Sequence, residues 1–280
     1  MTHVMKKELV EAFHERLVDE EKSRATIEKY MRDIRTFFRF VGDGGEVTKA
    51  VTRAYKEQLI TQYAPASVNS MLASLNSFLK QNEWHECMVK ALKRQKESFR
   101  TEVRDLTREE YYCLLDEAVL RGKIRLYLMM ETLCATGIRV SELQYITVEA
   151  ARTGHAMVSS KGKQRLVLIP DALCKKLEEY IRVWGVGSGS IFVTRSGKPV
   201  NRSNLFHDMK LLCHQAGIPE EKVYPHNLRH LFAKTYYRAQ NDIIHLADIL
   251  GHSSIDTTRI YTMVSAKEEQ RQINDLNLVR

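Results

Sequence analysis

The sequence has few cysteines, and none of them is in a pairing pattern. The five residues are scattered along the chain without a CxxC pair, at Cys87, Cys113, Cys134, Cys174 and Cys213. An odd number of dispersed cysteines argues against a disulfide framework and against a zinc ribbon. This usage favours the reducing cytoplasm as the compartment.

Long apolar runs are also missing. The N-terminus reaches charged residues at Lys6 and Lys7, and no later stretch approaches the roughly 20 apolar residues that span a bilayer. The sequence contains no Walker-type phosphate loop and no acidic cluster typical of a metal site. We therefore expect a cytoplasmic protein with no membrane partner, no nucleotide cofactor and no metal.

What the sequence does have is an excess of positive charge. Lysine and arginine number 43 against 35 acidic residues in a chain of 280, which gives a net charge of +8. A basic chain favours a polyanionic partner, either nucleic acid or an anionic membrane surface, although many basic proteins have neither. The length fits one large domain or two modest ones.

Residues 1–84 predict a bundle of four short helices. Apolar residues recur at helical spacing, and Thr48 and Pro65 are suited to start the third and fourth helices. The apolar stripes are interpreted as core packing. Cations recur on the polar side of the second helix, at Arg24, Lys29, Arg32, Arg35 and Arg39. Such a run fits a solvated helix face or contacts with phosphates.

Residues 85–104 are rich in lysine and arginine and weak in apolar periodicity, so we expect a basic linker. It is either an ordinary connector or a cationic strap that passes around a polyanion. Residues 105–280 predict a second, mixed α/β domain with one β-hairpin around the turn SSKGKQ. The expected fold is mainly α with a small β-sheet.

Two arginines and two histidines precede one tyrosine, and all of them except Arg139 are in the last fifth of the chain. Arg139 follows a buried helix that ends at Gly137; His226 and Arg229 form an HxxR pair, and His252 precedes Tyr261 by nine residues. A tyrosine hydroxyl has a pKa near 10, so as a nucleophile it needs a proton acceptor and a cationic cradle. Arginine matches two phosphate oxygens, and imidazole exchanges protons near neutral pH.

A metal site is the alternative for the histidines of this region. His226 and His230 lie four residues apart, as two zinc ligands on one helix face would. No glutamate follows His226, and Arg229 would repel an ion bound there. We expect His230 to pack or hydrogen-bond behind the site.

Four motifs together resemble the tyrosine recombinases, or phage integrase family. These are ATGIRVSEL with Arg139, SSKGKQR with Lys161, HNLRH with His226 and Arg229, and LGHSSIDTTRIYT with His252 and Tyr261. The resemblance covers the whole chain and implies an N-terminal helical core-binding domain followed by a catalytic domain. Independently of the resemblance, Glu142 lies three residues after Arg139, where it either orients the arginine or forms a simple surface ion pair with it.

The resemblance implies a reaction and a set of partners. Arg139, Arg229, His226 and His252 would hold the scissile phosphate of double-stranded DNA, and Tyr261 would attack it. Lys161, with Lys163 as the rival, would protonate the leaving 5′ oxygen. A homo-tetramer on two DNA sites, a C-terminal tail packed on a neighbouring subunit, and accessory DNA-bending or directionality proteins are further expectations.

Two other classes of function remain open at this point. A type IB topoisomerase uses the same nucleophile but rejoins the original strand. A non-catalytic DNA-binding regulator on the same fold would bind DNA and never cleave it, although the presence of all the chemical positions argues against this.

Overall fold

The computed structural model describes residues 3–93, 105–160, 162–194, 196–252, 254–262 and 266–276. The chain divides into two compact units, Met1–Lys96 and Glu97–Arg280. Each unit buries its own hydrophobic core. Within the described residues, no helix is both long enough and apolar enough to cross a membrane.

The first unit contains the four helices that the sequence predicts. They are α1 (Lys7–Asp19), α2 (Arg24–Val41), α3 (Lys49–Gln62) and α4 (Pro65–Gln81). Two short strands, β1 (His3–Val4) and β2 (Glu46–Val47), pair antiparallel beside them.

Local chemistry explains where these helices begin. The side chain of Ser23 accepts a hydrogen bond from the backbone N–H of Thr26 at the start of α2, and Thr48 caps α3 in the same way. Pro65 occupies the first turn of α4, where its missing N–H costs nothing. The aromatic rings of Phe13, Phe37 and Phe78 are fully buried between the helices, as core packing requires.

The first unit extends beyond the point at which we expected the linker to begin. After a turn of 3₁₀ helix at His85–Cys87, the side chains of Cys87 and Val89 join the core of the bundle. The Asn76 amide donates to the Val89 carbonyl at 2.8 Å and accepts from its N–H at 3.0 Å. The rest of the expected linker, residues 94–104, lies outside the described residues.

The second unit is a set of helices around one antiparallel hairpin. The helices are α5 (Arg108–Leu120), α6 (Ile124–Thr136), α7 (Val148–Thr153), α8 (Asp171–Trp184), α9 (Arg202–Gln215), α10 (Pro225–Gln240), α11 (Ile243–Leu250), α12 (Ile255–Arg259) and α13 (Ala266–Asp275). Strands β3 (His155–Ser160) and β4 (Lys163–Leu168) form the hairpin, with Ser160 opposite Lys163. The predicted hairpin and the mainly helical fold are thereby confirmed.

Helix α6 is the centre of the second unit. It packs against α5, α8, α9 and α10, and it buries apolar residues on several sides, including Leu128, Met130 and Leu133. It ends at Gly137, which adopts a left-handed conformation with φ of 65°. A Cβ at Gly137 would lie 2.4 Å from Cδ1 of Phe232, so the glycine also allows α10 to approach closely.

Candidate active site

Arg229 is a buried arginine that joins the ends of two helices. It lies on α10, and only 1% of its surface is exposed. Its Nη1 donates to the carbonyl of Gly137 at 2.5 Å, and its Nη2 donates to the carbonyl of Leu250 at 2.7 Å. These carbonyls lie at the C-terminal ends of α6 and α11, where no helical N–H reaches them and a cation is favoured.

Burial, followed by the neighbouring charge of Arg139, lowers the pKa of Arg229 to about 10. The guanidinium therefore still carries its proton at neutral pH. A charged group with little water around it interacts strongly with any anion that enters the site.

His252 follows α11 directly and contacts Arg229. The side chain of Asp242 caps α11, and Gly251 ends it in a left-handed conformation. His252 Nε2 lies 3.0 Å from Arg229 Nη2, and its Nδ1 lies 2.8 Å from Oγ1 of Thr258. Because the guanidinium only donates, Nε2 accepts, and the proton of the neutral ring is on Nδ1.

The surroundings of His252 favour the neutral imidazole. Burial, and then the positive charge of Arg229, lower the pKa of His252 to about 4. In the absence of an anion the ring is therefore uncharged at pH 7.

Arg139 is the second arginine of the site, and it faces solvent. Its side chain is 35% exposed, and its Nη1 donates to Oε1 of Glu142 at 3.0 Å. Glu142 is 1% exposed, and its Oε2 also accepts from the backbone N–H of Arg139 at 2.8 Å. Arg139 Nη2 lies 3.3 Å from the carbonyl of Gly251, beside His252. Glu142 thus orients Arg139, as we expected.

Arg165 is a component of the site that we did not single out from the sequence. It lies on β4, and its Nη2 donates to Oε2 of Glu142 at 2.7 Å. Its only signal in the sequence is the last position of the SSKGKQR motif, where it follows Lys161 by four residues. Lys161 itself lies outside the described residues, whereas the alternative, Lys163, is exposed at the start of β4.

Tyr261 lies close to the histidines but is buried. It follows the short helix α12, which Ser254 caps, and 4% of its surface is exposed. The ring of His230 meets it edge-on with 5.0 Å between centroids, and the ring of His252 is stacked with it at 6.3 Å. His226, exposed on the first turn of α10, contacts the ring of His230 at 4.5 Å.

The second unit therefore brings five of the six expected residues together: Arg139, His226, Arg229, His252 and Tyr261. His230 packs between His226 and Tyr261, with its ring in contact with both. Two cations, imidazole groups and one phenol in such an arrangement suit nucleophilic attack on a phosphodiester.

The cations on α2 of the first unit differ in their surroundings. Lys29 is part of the bundle, since its Nζ pairs with Asp33 Oδ2 at 2.7 Å and donates to Ser74 Oγ at 2.8 Å. Lys29 therefore has a structural role in the bundle, which differs from the role in phosphate contact that the basic run also fits.

A surface depression of about 410 Å³ is lined by Arg32, Arg35, Phe38 and Arg39. These three arginines are exposed and available to a polyanion.

Comparison with known proteins finds two family models that match this chain. The Phage integrase family model matches residues 104–268, more than half of the chain, and the model named Phage integrase, N-terminal SAM-like domain, matches residues 10–85. Tyrosine recombinase XerA of Pyrococcus furiosus is 30% identical over 285 aligned residues, which cover 98% of this chain and 96% of the relative.

Solved structures show the same fold. A lambda integrase dimer bound to a COC′ core site matches with a TM-score of 0.75 at 19% identity, covering 93% of this chain and 77% of that one. A lambda integrase tetramer bound to a Holliday junction matches with a TM-score of 0.72 at 20% identity, covering 88% and 77%. The chain therefore belongs to the phage integrase family and is a tyrosine recombinase, an enzyme of site-specific DNA recombination.

Proposed function

We propose that this recombinase cleaves DNA by attack of the Tyr261 hydroxyl oxygen on the scissile phosphorus. The bond between phosphorus and the 5′ oxygen breaks, which leaves a 3′-phosphotyrosyl enzyme and a 5′ hydroxyl. A 5′ hydroxyl of a partner strand then attacks the phosphotyrosine, releases Tyr261 and completes the exchange. The observation that carries the proposal is the convergence of Arg139, Arg229 and His252 beside the ring of Tyr261.

The two arginines bind the non-bridging oxygens of the phosphate. Arg229 is held by helix-end carbonyls and Arg139 by Glu142, so both guanidinium groups are in place before the anion arrives. Donors that are already oriented stabilise the developing negative charge without reorganisation. Removal of one such donor typically slows the chemical step about 10²–10³-fold.

The histidines move protons and complete the phosphate contact. His226 accepts the proton of Tyr261 as the hydroxyl attacks. The phosphate takes over the hydrogen bond that Arg229 now gives to His252 Nε2, while the two helix-end carbonyls keep theirs. Burial and then the arginine charges lower the pKa of His252. The negative charge of the phosphate offsets the arginine charges, so it favours a protonated Nε2 that donates to the phosphate.

Lys161 supplies a proton to the 5′ oxygen as it leaves. This assignment rests on the motif SSKGKQR and on the hairpin that carries it. Lys163 is the alternative donor and contacts the DNA backbone in this scheme.

The partner is double-stranded DNA with a specific target site, in the cytoplasm where the nucleoid lies. The exposed arginines of α2 contact its backbone. We assign a homo-tetramer on two DNA sites, since Ile273 of α13 and the adjoining Leu276 form an exposed apolar edge that suits a neighbouring subunit. Accessory DNA-bending or directionality proteins are further candidates for partners.

Covalent trapping tests the proposal. The purified protein is mixed with a library of nicked DNA duplexes, the mixture is denatured, and the DNA that remains attached is sequenced. We expect the wild type to trap one shared sequence and Tyr261→Phe to trap none. Tyr237→Phe is the matched control, because Tyr237 packs on the same small cluster as Tyr261 and should leave trapping intact.

Two results would decide against this assignment. If Tyr261→Phe still forms the covalent product, another residue is the nucleophile. If the wild type binds DNA but never attaches, also with DNA that flanks its own gene, a non-catalytic regulator is the better description. Exchange of strands between two labelled duplexes separates recombination from topoisomerase-like relaxation, which returns only the original strands.

A further inference from the structure

Arg165 and Arg139 share one buried carboxylate. Oε2 of Glu142 accepts from Arg165 Nη2 at 2.7 Å and from the backbone N–H of Arg139 at 2.8 Å, and Oε1 accepts from Arg139 Nη1 at 3.0 Å. Glu142 is 1% exposed, so water contributes little to holding it. The position of the carboxylate is therefore set by the two arginines.

Arg165 also lies against Gly251, the residue before His252. A Cβ on Gly251 would be 2.5 Å from Nε and 2.7 Å from Cδ of Arg165. The carbonyl of Gly251 in turn lies 3.3 Å from Arg139 Nη2. Arg165 therefore contacts both supports of the Arg139 guanidinium, the carboxylate on one side and the Gly251 segment on the other.

The charges around Arg165 indicate that its side chain does more than fill space. Arg165 is 15% exposed at its side chain, and its pKa is lowered by burial and by the charge of Arg139, while Glu142 acts against this. A mostly buried arginine beside two other arginines is costly, and among the described residues the buried Nη1 of Arg165 has no hydrogen-bond partner. The ion pair of its Nη2 with Glu142 is therefore the contact that offsets this cost. An apolar side chain could fill the same volume, but it could not fix the carboxylate of Glu142.

We propose that Arg165 is a positioning residue for the phosphate site: it holds Glu142 and the Gly251 segment so that the Arg139 guanidinium meets the scissile phosphate. Arg165 does not touch the phosphate itself. The inference rests on the proposed function, in which Arg139 neutralises a phosphate oxygen.

The test compares two DNA substrates that contain the sequence recovered by covalent trapping. One has an ordinary scissile phosphate, and the other has a methylphosphonate, in which a methyl group replaces a non-bridging oxygen and removes the negative charge. Single-turnover cleavage is measured on both. A variant that only weakens charge neutralisation at the phosphate loses much of its defect on the uncharged substrate.

We expect Arg165→Gln to cleave the phosphate substrate roughly 10–100-fold more slowly, as substitutions that disturb the support of a functional group commonly do. On the methylphosphonate its rate should approach that of the unsubstituted chain. Arg165→Lys, which keeps the charge and the apolar stem, should recover part of the rate on phosphate. If Arg165→Gln does not fold, the same comparison is made with Arg165→Lys.

Two controls separate positioning from other roles. Arg125→Gln is matched, because Arg125 is also partly buried in the second unit and donates to the carbonyl of Val193; any defect it has should be equal on both substrates. In an Arg139→Ala background, Arg165→Gln should add no further loss, since the residue through which it acts is absent.

Two outcomes overturn the inference when Arg139→Ala regains rate on the methylphosphonate. In the first, Arg165→Gln has an equal defect on both substrates. In the second, Arg165→Gln has no defect. A full additional loss in the Arg139→Ala background overturns it as well, because Arg165 would then act directly. If Arg139→Ala itself is equally slow on both substrates, the proposed role of Arg139 fails, and the inference fails with it.

Discussion

His252 shows how one residue of the site depends on the charges around it. The ring lies between Arg229, which donates to Nε2, and Thr258, which accepts from Nδ1. Protonation of Nε2 would place a second positive charge against the buried guanidinium. In the absence of an anion, the site is thus built around a neutral imidazole.

The pKa of His252 predicts a pH dependence of stability. Burial holds the pKa of His252 in the folded chain at about 4, below its ordinary value of 6.5, so the folded chain binds fewer protons than the unfolded chain between these values. The contribution of His252 is complete above about pH 6.5 and is lost as the pH falls towards 4. We expect the free energy of unfolding, measured with urea, to fall less steeply over this range in His252→Gln.

The exposed His207 provides the control for this experiment, and His207→Gln should behave as the wild type does. The slope attributable to His252 should not exceed about 1.4 kcal/mol per pH unit, the value for one proton. Equal slopes in the wild type and His252→Gln would contradict the assigned neutral ring.

At the scale of elements, helix α2 combines two kinds of cation. Lys29 lies between α2 and α4, where it binds the buried carboxylate of Asp33 on its own helix and the hydroxyl of Ser74 on α4. Arg32 and Arg35 lie on the exposed surface of the same helix. These cations belong to one basic run in the sequence. The helical periodicity of α2 places Lys29 on the face that packs in the bundle and the two arginines on the exposed face.

This difference predicts opposite effects for two substitutions in α2. Lys29→Met leaves the Asp33 carboxylate without its cation and should lower the free energy of unfolding by about 1–3 kcal/mol. Arg35→Ala should change stability by less than about 0.5 kcal/mol. It should instead reduce the slope of log affinity for DNA against log salt concentration by about 0.9, the value for one phosphate contact.

Urea unfolding and DNA binding at several salt concentrations measure the two effects. Lys29→Met is the control for the salt slope, which should remain that of the wild type. An unchanged slope in Arg35→Ala would show that the arginine surface of α2 does not contact the DNA backbone.

At the scale of the whole molecule, each unit has a large core of its own, and the second unit also holds the small cluster that contains Tyr261. The core of the first unit runs from Met5 to Val89, and that of the second runs from Leu106 to Leu228. The candidate active-site residues all belong to the second unit, and the arginine surface of α2 belongs to the first. The proposed chemistry and the proposed DNA contact of α2 therefore belong to different units.

We expect residues 1–93 and residues 105–280, expressed separately, each to fold cooperatively, because each contains its own core. The second fragment should still form the covalent product with Tyr261, but only at higher protein concentration, since it lacks the α2 contacts. Circular dichroism melting and the trapping assay measure these outcomes. A fragment 1–93 that lacks a cooperative transition would contradict the independence of the first unit.

The sequence alone determined what depends on near neighbours along the chain. Capping residues such as Ser23 and Thr48, apolar periodicity and the turn at Gly162 specify helices and a hairpin through contacts a few residues apart. Glu142 could be assigned to Arg139 for the same reason, since three residues separate them. The motifs also predict the types and the order of the candidate site residues.

Only the tertiary structure decided the contacts between distant parts of the chain. Arg229 reaches the carbonyl of Gly137 across 92 positions, and Arg165 reaches Glu142 across 23. Cys87 and Val89 belong to the first core although the stretch around them is basic. Such contacts depend on how helices and strands pack, and side-chain periodicity does not encode this packing. The burial of Arg229, the lowered pKa of His252 and the sharing of Glu142 by two arginines therefore arise only in the folded chain.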